Sequence, residues 1–232
     1  KFKKILIANR GEIAIRVMRA ANEMGKSTVA IFAEEDKLSL HRFKADEAYK
    51  IGQGMGPVAA YLNIPEIIDL AKMAEADAIH PGYGLLSEKP EFAEACIDSG
   101  LTFIGPASKT MRQLGNKATA RKMAVKAGVP VIPASEILPD NTKKLEKIAK
   151  DLGFPLMLKA SWGGGGRGMR LIKNLNDLQK NVLEGKRESK SAFGNSESFL
   201  EKYIENARHV EVQILGDKDG NIYHLWERDC SI

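Results

Sequence analysis

A lysine that closes an apolar run, then four glycines and an arginine, make the stretch of this 232-residue chain best equipped for chemistry. Leu156-Met157-Leu158-Lys159-Ala160 reads as a short strand, and Gly163-Gly164-Gly165-Gly166 as a loop whose backbone no side chain shields. Met169-Arg170-Leu171-Ile172 then resumes an extended pattern. Unshielded backbone N–H groups can close over an oxyanion, and Lys159 and Arg167 bring the charge a polyphosphate requires. A bare run of glycines also suits a flexible linker. The strand-like flanks and the strand-end lysine favour a nucleotide phosphate lid. A P-loop is excluded, because the lysine precedes the glycines and no helix follows them.

The basic charge gathers around that loop. Asn116 to Lys190 holds 16 Lys/Arg against 7 Asp/Glu, in a chain of formal net charge +5. Nucleic-acid surfaces interleave basic residues with aromatics for stacking. This segment offers only Phe154 and Trp162, with Phe193 just beyond, so a small polyanion is the expected ligand and nucleic acid is not. No apolar run reaches membrane-spanning length, so no membrane partner is expected, and the apolar part of Lys1 to Ala8 is too short for a signal peptide. Cys96 and Cys230 lie far apart without Cys-x-x-Cys spacing, which suggests neither a disulfide framework nor a zinc site. Cytoplasm, or the mitochondrial matrix in a eukaryote, is the expected compartment.

Elements that could position the loop follow from periodicity. Phe2 to Ala8 reads as a buried strand, and a helix follows with Ile13, Val17, Ala20 or Ala21, and Met24 at helical spacing. Ser27 to Phe32, Ala45 to Ile51, Ala78 to His80 and Leu101 to Ile104 are further strands; Pro65 to Ala74 and Pro90 to Ser99 are helices. This alternation predicts a Rossmann-like parallel sheet covered on both faces. The first turn holds one glycine where a dinucleotide fingerprint needs Gly-x-Gly-x-x-Gly, which disfavours a nicotinamide-binding oxidoreductase. Glu34-Glu35-Asp36 reads as a loop. Arg16, Arg19 and Glu23 share a helical face that is either solvated or a charged dimer contact. His80 opens a turn-rich loop, His80 to Glu88, at a strand end, and reads as a structural histidine. Met111 to Arg121 begins a basic helix, Asn141 to Leu152 forms another, and Asn174 to Glu188 a third with Leu175, Leu178, Val182 and Leu183 on one side. Phe199 to Ile204 is a strand, and Arg208 to Leu215 and Asn221 to Glu227 flank a hairpin turn.

With these residues in view, the chain resembles the biotin carboxylase domain of biotin-dependent carboxylases, an ATP-grasp enzyme. Seven segments in the family's order carry the resemblance: Ile7 to Ala14, His80 to Glu88, Phe103 to Pro106, Gly163 to Met169, Glu201 to Tyr203, Arg208 to Glu211 and Glu227 to Cys230. Glu34-Glu35-Asp36 with His41 to Tyr49, and the aromatic Trp162, are most similar to members whose final acceptor is pyruvate. Members acting on acetyl-CoA or propionyl-CoA are the alternative.

The resemblance implies an ATP-dependent ligase that carboxylates biotin from ATP and bicarbonate, with Mg2+. It implies a pre-ATP-grasp Rossmann-like subdomain over 1–115, a helical linker over 116–132, the ATP-grasp lid over 133–202, and the start of the main antiparallel sheet over 203–232. Lys117 and Lys159 match the lysines that hold ATP phosphates; Gly163, Gly164, Gly165, Gly166 and Met169 match the closing loop. Glu201, Lys202, Tyr203 and Ile204 match the adenine-reading hinge, and His209 a nucleotide-contacting histidine. The implied partners are a biotin carrier domain, a carboxyltransferase domain and a second copy of the biotin carboxylase domain. Family members continue for roughly as many residues again beyond Ile232. Metal ligands and catalytic residues are expected there, so the 232-residue chain is expected to be catalytically silent by itself.

Overall fold

The structure, a computed structural model, describes residues 2–163, 166–217 and 219–231. It divides into two compact units, Lys1–Met123 and Ala124–Ile232.

The first unit is built on five parallel strands: β1 (Lys4–Ile7), β2 (Ser27–Phe32), β3 (Glu47–Lys50), β4 (Ala78–His80) and β5 (Thr102–Phe103). Their order is β3-β2-β1-β4-β5. Helices α1 (Gly11–Glu23), α2 (Pro57–Tyr61), α3 (Ile64–Met73) and α4 (Pro90–Asp98) connect them. Alternate residues of β1 point to opposite faces. Leu6 joins a core with Ile67, Phe92 and Cys96 of α3 and α4, whereas Ile5 and Ile7 join Ala14, Met18 and Ala21 of α1. The sheet is covered on both faces, as its apolar strands predict. Phe92 and Phe103 meet edge to face, their ring centroids 5.9 Å apart, a contact of about 1 kcal/mol.

Helix α1 keeps Ala21 of its predicted stripe but buries Ala14 and Met18, one position after the half-buried Ile13 and Val17. Met24 is exposed past the helix end. Small alanines let the helix approach the sheet closely, and periodicity counted on larger residues misses that. The loop at Glu34–Asp36 is one 3-10 turn with Asp36 buried. The basic helix is two: α5 (Ser108–Gly115) and α6 (Lys117–Lys126) break at buried Asn116, whose Oδ1 accepts from the Thr119 N–H at 2.9 Å as an N-cap.

The second unit holds an antiparallel sheet of order β7-β6-β8, from β6 (Leu156–Ala160), β7 (Arg170–Ile172) and β8 (Ser198–Lys202). Helices α7 (Thr142–Leu152) and α8 (Leu178–Phe193) cover one face, joining Leu145, Ala149, Leu178 and Val182 to Leu156, Leu158, Ile172 and Leu200. Helix α8 runs five residues past Glu188, and Leu183, predicted on the apolar side, is exposed. Gly185 and Ser189 take the buried face instead. Residues 133–138 run along the outer edge of β8, with bonds from Lys202 N to Pro133 O and from Leu138 N to Ser198 O, both 2.8 Å. Two further strands, β9 (Val210–Gly216) and β10 (Ile222–Asp229), form a hairpin with an irregularity between His224 and Glu227.

Candidate functional site

Strand β6 alternates buried and half-buried residues, which sends Leu156, Leu158 and Ala160 into the core and leaves Met157 and Lys159 on the opposite face. Glu201 lies opposite Met157 in the register, which puts it diagonal to Lys159 on that same face. The two side chains form an ion pair and a hydrogen bond. An ammonium has three donors. Glu201 takes one, and no second acceptor is found among the described residues. Among the described residues the ammonium therefore keeps donors beyond the one that Glu201 takes, on the sheet face opposite α7 and α8.

The glycine-rich loop follows β6. Gly164 and Gly165 lie outside the described residues; Gly163, Gly166 and Met169 form its shoulders. Gly166 accepts the Met169 N–H at 3.2 Å in a turn, and Met169 is 39% exposed. Gly168 is the position where glycine is required. Its φ is +76°, and a Cβ there would stand 2.2 Å from Ser189 Oγ and 3.2 Å from the Gly185 carbonyl of α8. Trp162 donates from Nε1 to Glu197 at 3.0 Å.

The expected adenine-reading residues fall into two sorts. The Lys202 ammonium donates to the carbonyls of Gly153 and Phe154 at 2.8 and 2.9 Å, so it ties β8 to the turn before β6. The Tyr203 N–H donates to Pro155 O at 3.2 Å, while Ile204 is half exposed. The Glu201 carboxylate, by contrast, is engaged by Lys159 and, among the described residues, not by the backbone. His209 is exposed at the foot of the hairpin, where its N–H donates to Ser231 Oγ at 2.9 Å. Lys117 opens α6 in the first unit and is exposed.

The first unit has a ligand-ready feature of its own. The strand order reverses about β1, so the carboxyl ends of β1 and β4 flank a switch point where open parallel sheets bind ligands. Asn9 sits just after β1, buried, and its amide donates to the carbonyls of Pro81 and Tyr83 at 2.7 and 2.9 Å. Gly82, at φ +66°, packs so closely that a Cβ would lie 2.6 Å from Asn9 Nδ2. His80 Nδ1 accepts the Gly82 N–H at 3.0 Å, and burial pushes the imidazole below its ordinary pKa. The histidine shapes the loop, and Tyr83 is held 65% exposed above it. Asn9 escapes sequence reading because its partners are more than 70 residues away.

Acidic charge is used structurally nearby. Arg10 grips Asp36 through Nε at 2.6 Å and through a second, Nη2 contact. Asp36 also accepts from the Tyr61 hydroxyl at 2.8 Å and from Ser39 at 3.0 Å. Burial pushes the Asp36 pKa up, but these bonds outweigh it and hold the carboxyl below its usual range. Among the described residues, no group of three or more His, Cys, Asp or Glu is placed to hold a metal ion, and no helix is long and apolar enough to cross a membrane.

Two family profiles divide the chain between them. Residues 1–111 match the biotin carboxylase N-terminal domain, and residues 116–232 match the ATP binding domain of the carbamoyl-phosphate synthase L chain. The chain belongs to the biotin carboxylase family. Human mitochondrial pyruvate carboxylase is 53% identical over 230 residues, 99% of this chain and 20% of that protein. The structure of Rhizobium etli pyruvate carboxylase with the allosteric activator acetyl coenzyme A superposes with a TM-score of 0.93 at 61% identity, covering 99% of this chain and 20% of that one. The biotin carboxylase domain dimer of Hydrogenobacter thermophilus 2-oxoglutarate carboxylase, in complex with MgADP, ADP and bicarbonate, gives 0.95 at 49% identity, covering 100% and 51%. This biotin carboxylase-family chain thus spans about one-fifth of the pyruvate carboxylases it matches and about half of that biotin carboxylase domain.

Proposed function

We propose that this chain supplies the nucleotide-phosphate lid and leading subdomain of a biotin carboxylase, which uses ATP and bicarbonate to carboxylate biotin on a carrier domain. The observation that carries the reading is the Lys159–Glu201 pair on the face of the β7-β6-β8 sheet opposite α7 and α8, beside the glycine-rich loop. Lys159 stands on a strand at fixed reach, as phosphate binding needs. Glu201 can accept from an exocyclic amine, and the extended backbone to Ile204 offers an N–H and a C=O to a base edge. Gly166, with no side chain of its own, can turn its backbone N–H toward phosphate oxygens. Closing the loop would keep water from a reactive phosphorylated species. Lys117, Lys202, Tyr203 and His209 complete the proposed nucleotide set. Magnesium is assigned to no described residue, because no acidic cluster fits it.

Residues 1–115 are the Rossmann-like subdomain of this reading, 116–132 its linker, 133–202 the lid and 203–232 the start of the main ATP-grasp sheet. The final acceptor is proposed to be pyruvate, supported by 61% and 53% identity to pyruvate carboxylases. A carboxyltransferase domain and a second copy of the biotin carboxylase domain are the proposed partners. The test is bicarbonate-dependent ATP turnover by the full-length protein, with and without biotin. Lys159→Ala should raise the KM for ATP roughly ten- to hundredfold, the worth of a charge-assisted phosphate contact. An unchanged KM would remove Lys159 from the phosphate site.

A further inference from the structure

Lys202 closes β8, and, given the base-reading role proposed above for residues 201–204, we infer that its side chain is a positioning group. The ammonium holds that segment to the lid from the face away from the nucleotide. Side chains alternate between faces along a strand. Leu200 lies in the core with Leu145 and Ala149 of α7, so Lys202, two residues on, shares that side. Glu201 points the other way, toward Lys159. The Lys202 ammonium donates to the Gly153 carbonyl at 2.8 Å and to the Phe154 carbonyl at 2.9 Å, which spends two of its three donors. Gly153 is the C-cap of α7, at φ +73°, and a helix C-terminus carries the partial negative charge that suits an ammonium. A side chain held there cannot also serve a ligand on the Glu201 side. Its place in the nucleotide set is its backbone.

The clamp acts where the ladder stops. Leu156 and Lys202 are partners at the end of the β6–β8 register, and the chain leaves the sheet beyond them. The Lys202 N–H donates to Pro133 O at 2.8 Å and the Tyr203 N–H to Pro155 O at 3.2 Å. One residue further, Ile204 is half exposed. Residues 153–155 thus hold residues 202 and 203 by two side-chain bonds and one backbone bond. The same turn leads into β6, which carries Lys159, so the base-reading backbone and the phosphate lysine are referenced to one frame. Without the ammonium, the end of β8 would have to be ordered when the nucleotide binds, and recognition of the base edge would weaken by that cost. Lys159 would keep its position, which the pairing of β6 with β7 and β8 sets.

The experiment compares steady-state kinetics of the full-length protein with ATP and with ITP, whose base carries a carbonyl in place of the exocyclic amine and a proton on N1. An edge that suits adenine mispairs with that base, so ITP draws on the phosphate contacts alone. Lys202→Met keeps the apolar stem and removes the donors. It should raise the ATP KM about tenfold, with kcat within about a factor of two, and change the ITP KM less than about twofold, so the preference for ATP shrinks about tenfold. Lys159→Ala should instead raise both KM values together and keep the preference. Lys202→Gln, shorter but with amide donors, should lose less than Lys202→Met in the same pattern, and it decides if Lys202→Met does not fold. Equal losses with ATP and ITP would put the ammonium in the phosphate site and overturn the inference. So would a lower melting temperature with the ATP preference intact, the mark of a lysine that only supports the fold. Wild-type protein that uses ITP as well as ATP would instead refute the base-reading role of residues 201–204, and one that turns over neither would refute the function itself.

Discussion

Two cation–carboxylate pairs in this chain look alike in composition and differ in what surrounds them. Asp36 faces Arg10, Tyr61 and Ser39, and its side chain is 4% exposed, so its acceptor sites are consumed within the fold. Glu201 faces Lys159 on the sheet face opposite the α7–α8 core, and among the described residues the lysine has no second acceptor. An ion pair holds structure where its hydrogen-bonding capacity is spent. It can serve a ligand where capacity is left over.

Breaking the first pair should therefore cost stability and leave nucleotide binding alone. Asp36→Ala strands Arg10 and the buried Tyr61 hydroxyl, and should destabilise the first unit by about 3 kcal/mol, near the low end for a broken buried pair because Arg10 is half exposed. Urea denaturation of the full-length protein checks this. An equal loss of ATP affinity in the folded variant would erase the distinction between the two pairs.

A smaller effect is expected from pH. His41 donates from Nε2 to the Ile31 carbonyl at 3.1 Å, which leaves Nδ1 buried without a partner among the described residues. Burial lowers its pKa, as it does that of His80. Both are neutral in the folded state at pH values where the unfolded chain already binds a proton. Stability of the first unit should hold above the ordinary histidine value, about 6.5, and decline as pH falls below it. Melting curves between about pH 7.5 and 5.5 test the sign. His80→Asn, which can still accept the Gly82 N–H, should flatten part of the decline. A flat profile in the wild type would mean that neither imidazole is held neutral by the fold.

What is legible in the sequence shares one property: it lies within a single element or a single turn. The strand-end position of Lys159, the apolar strands of the parallel sheet and the hairpin beyond Arg208 all depend on neighbours in sequence. The Arg10–Asp36 pair and the Asn9 contacts join residues 26 and more apart, and no periodicity marks them. Apolar periodicity ends the third helix at Glu188. That residue is mid-helix, because Gly185 and Ser189 carry the buried face onward where an apolar count finds nothing. Lys202 matches a nucleotide motif, yet its ammonium is engaged by Gly153 and Phe154, a role set by the antiparallel register of β6 and β8.

The most direct test of the contrast is amide hydrogen exchange on the full-length protein with and without MgATP. Slowed exchange is predicted at Lys159 to Met169 and at Glu201 to Ile204, with no change at Arg10, Asp36 and Tyr61. Protection that spared the Lys159 loop, or that arose equally around Asp36, would contradict the assignment of the two pairs.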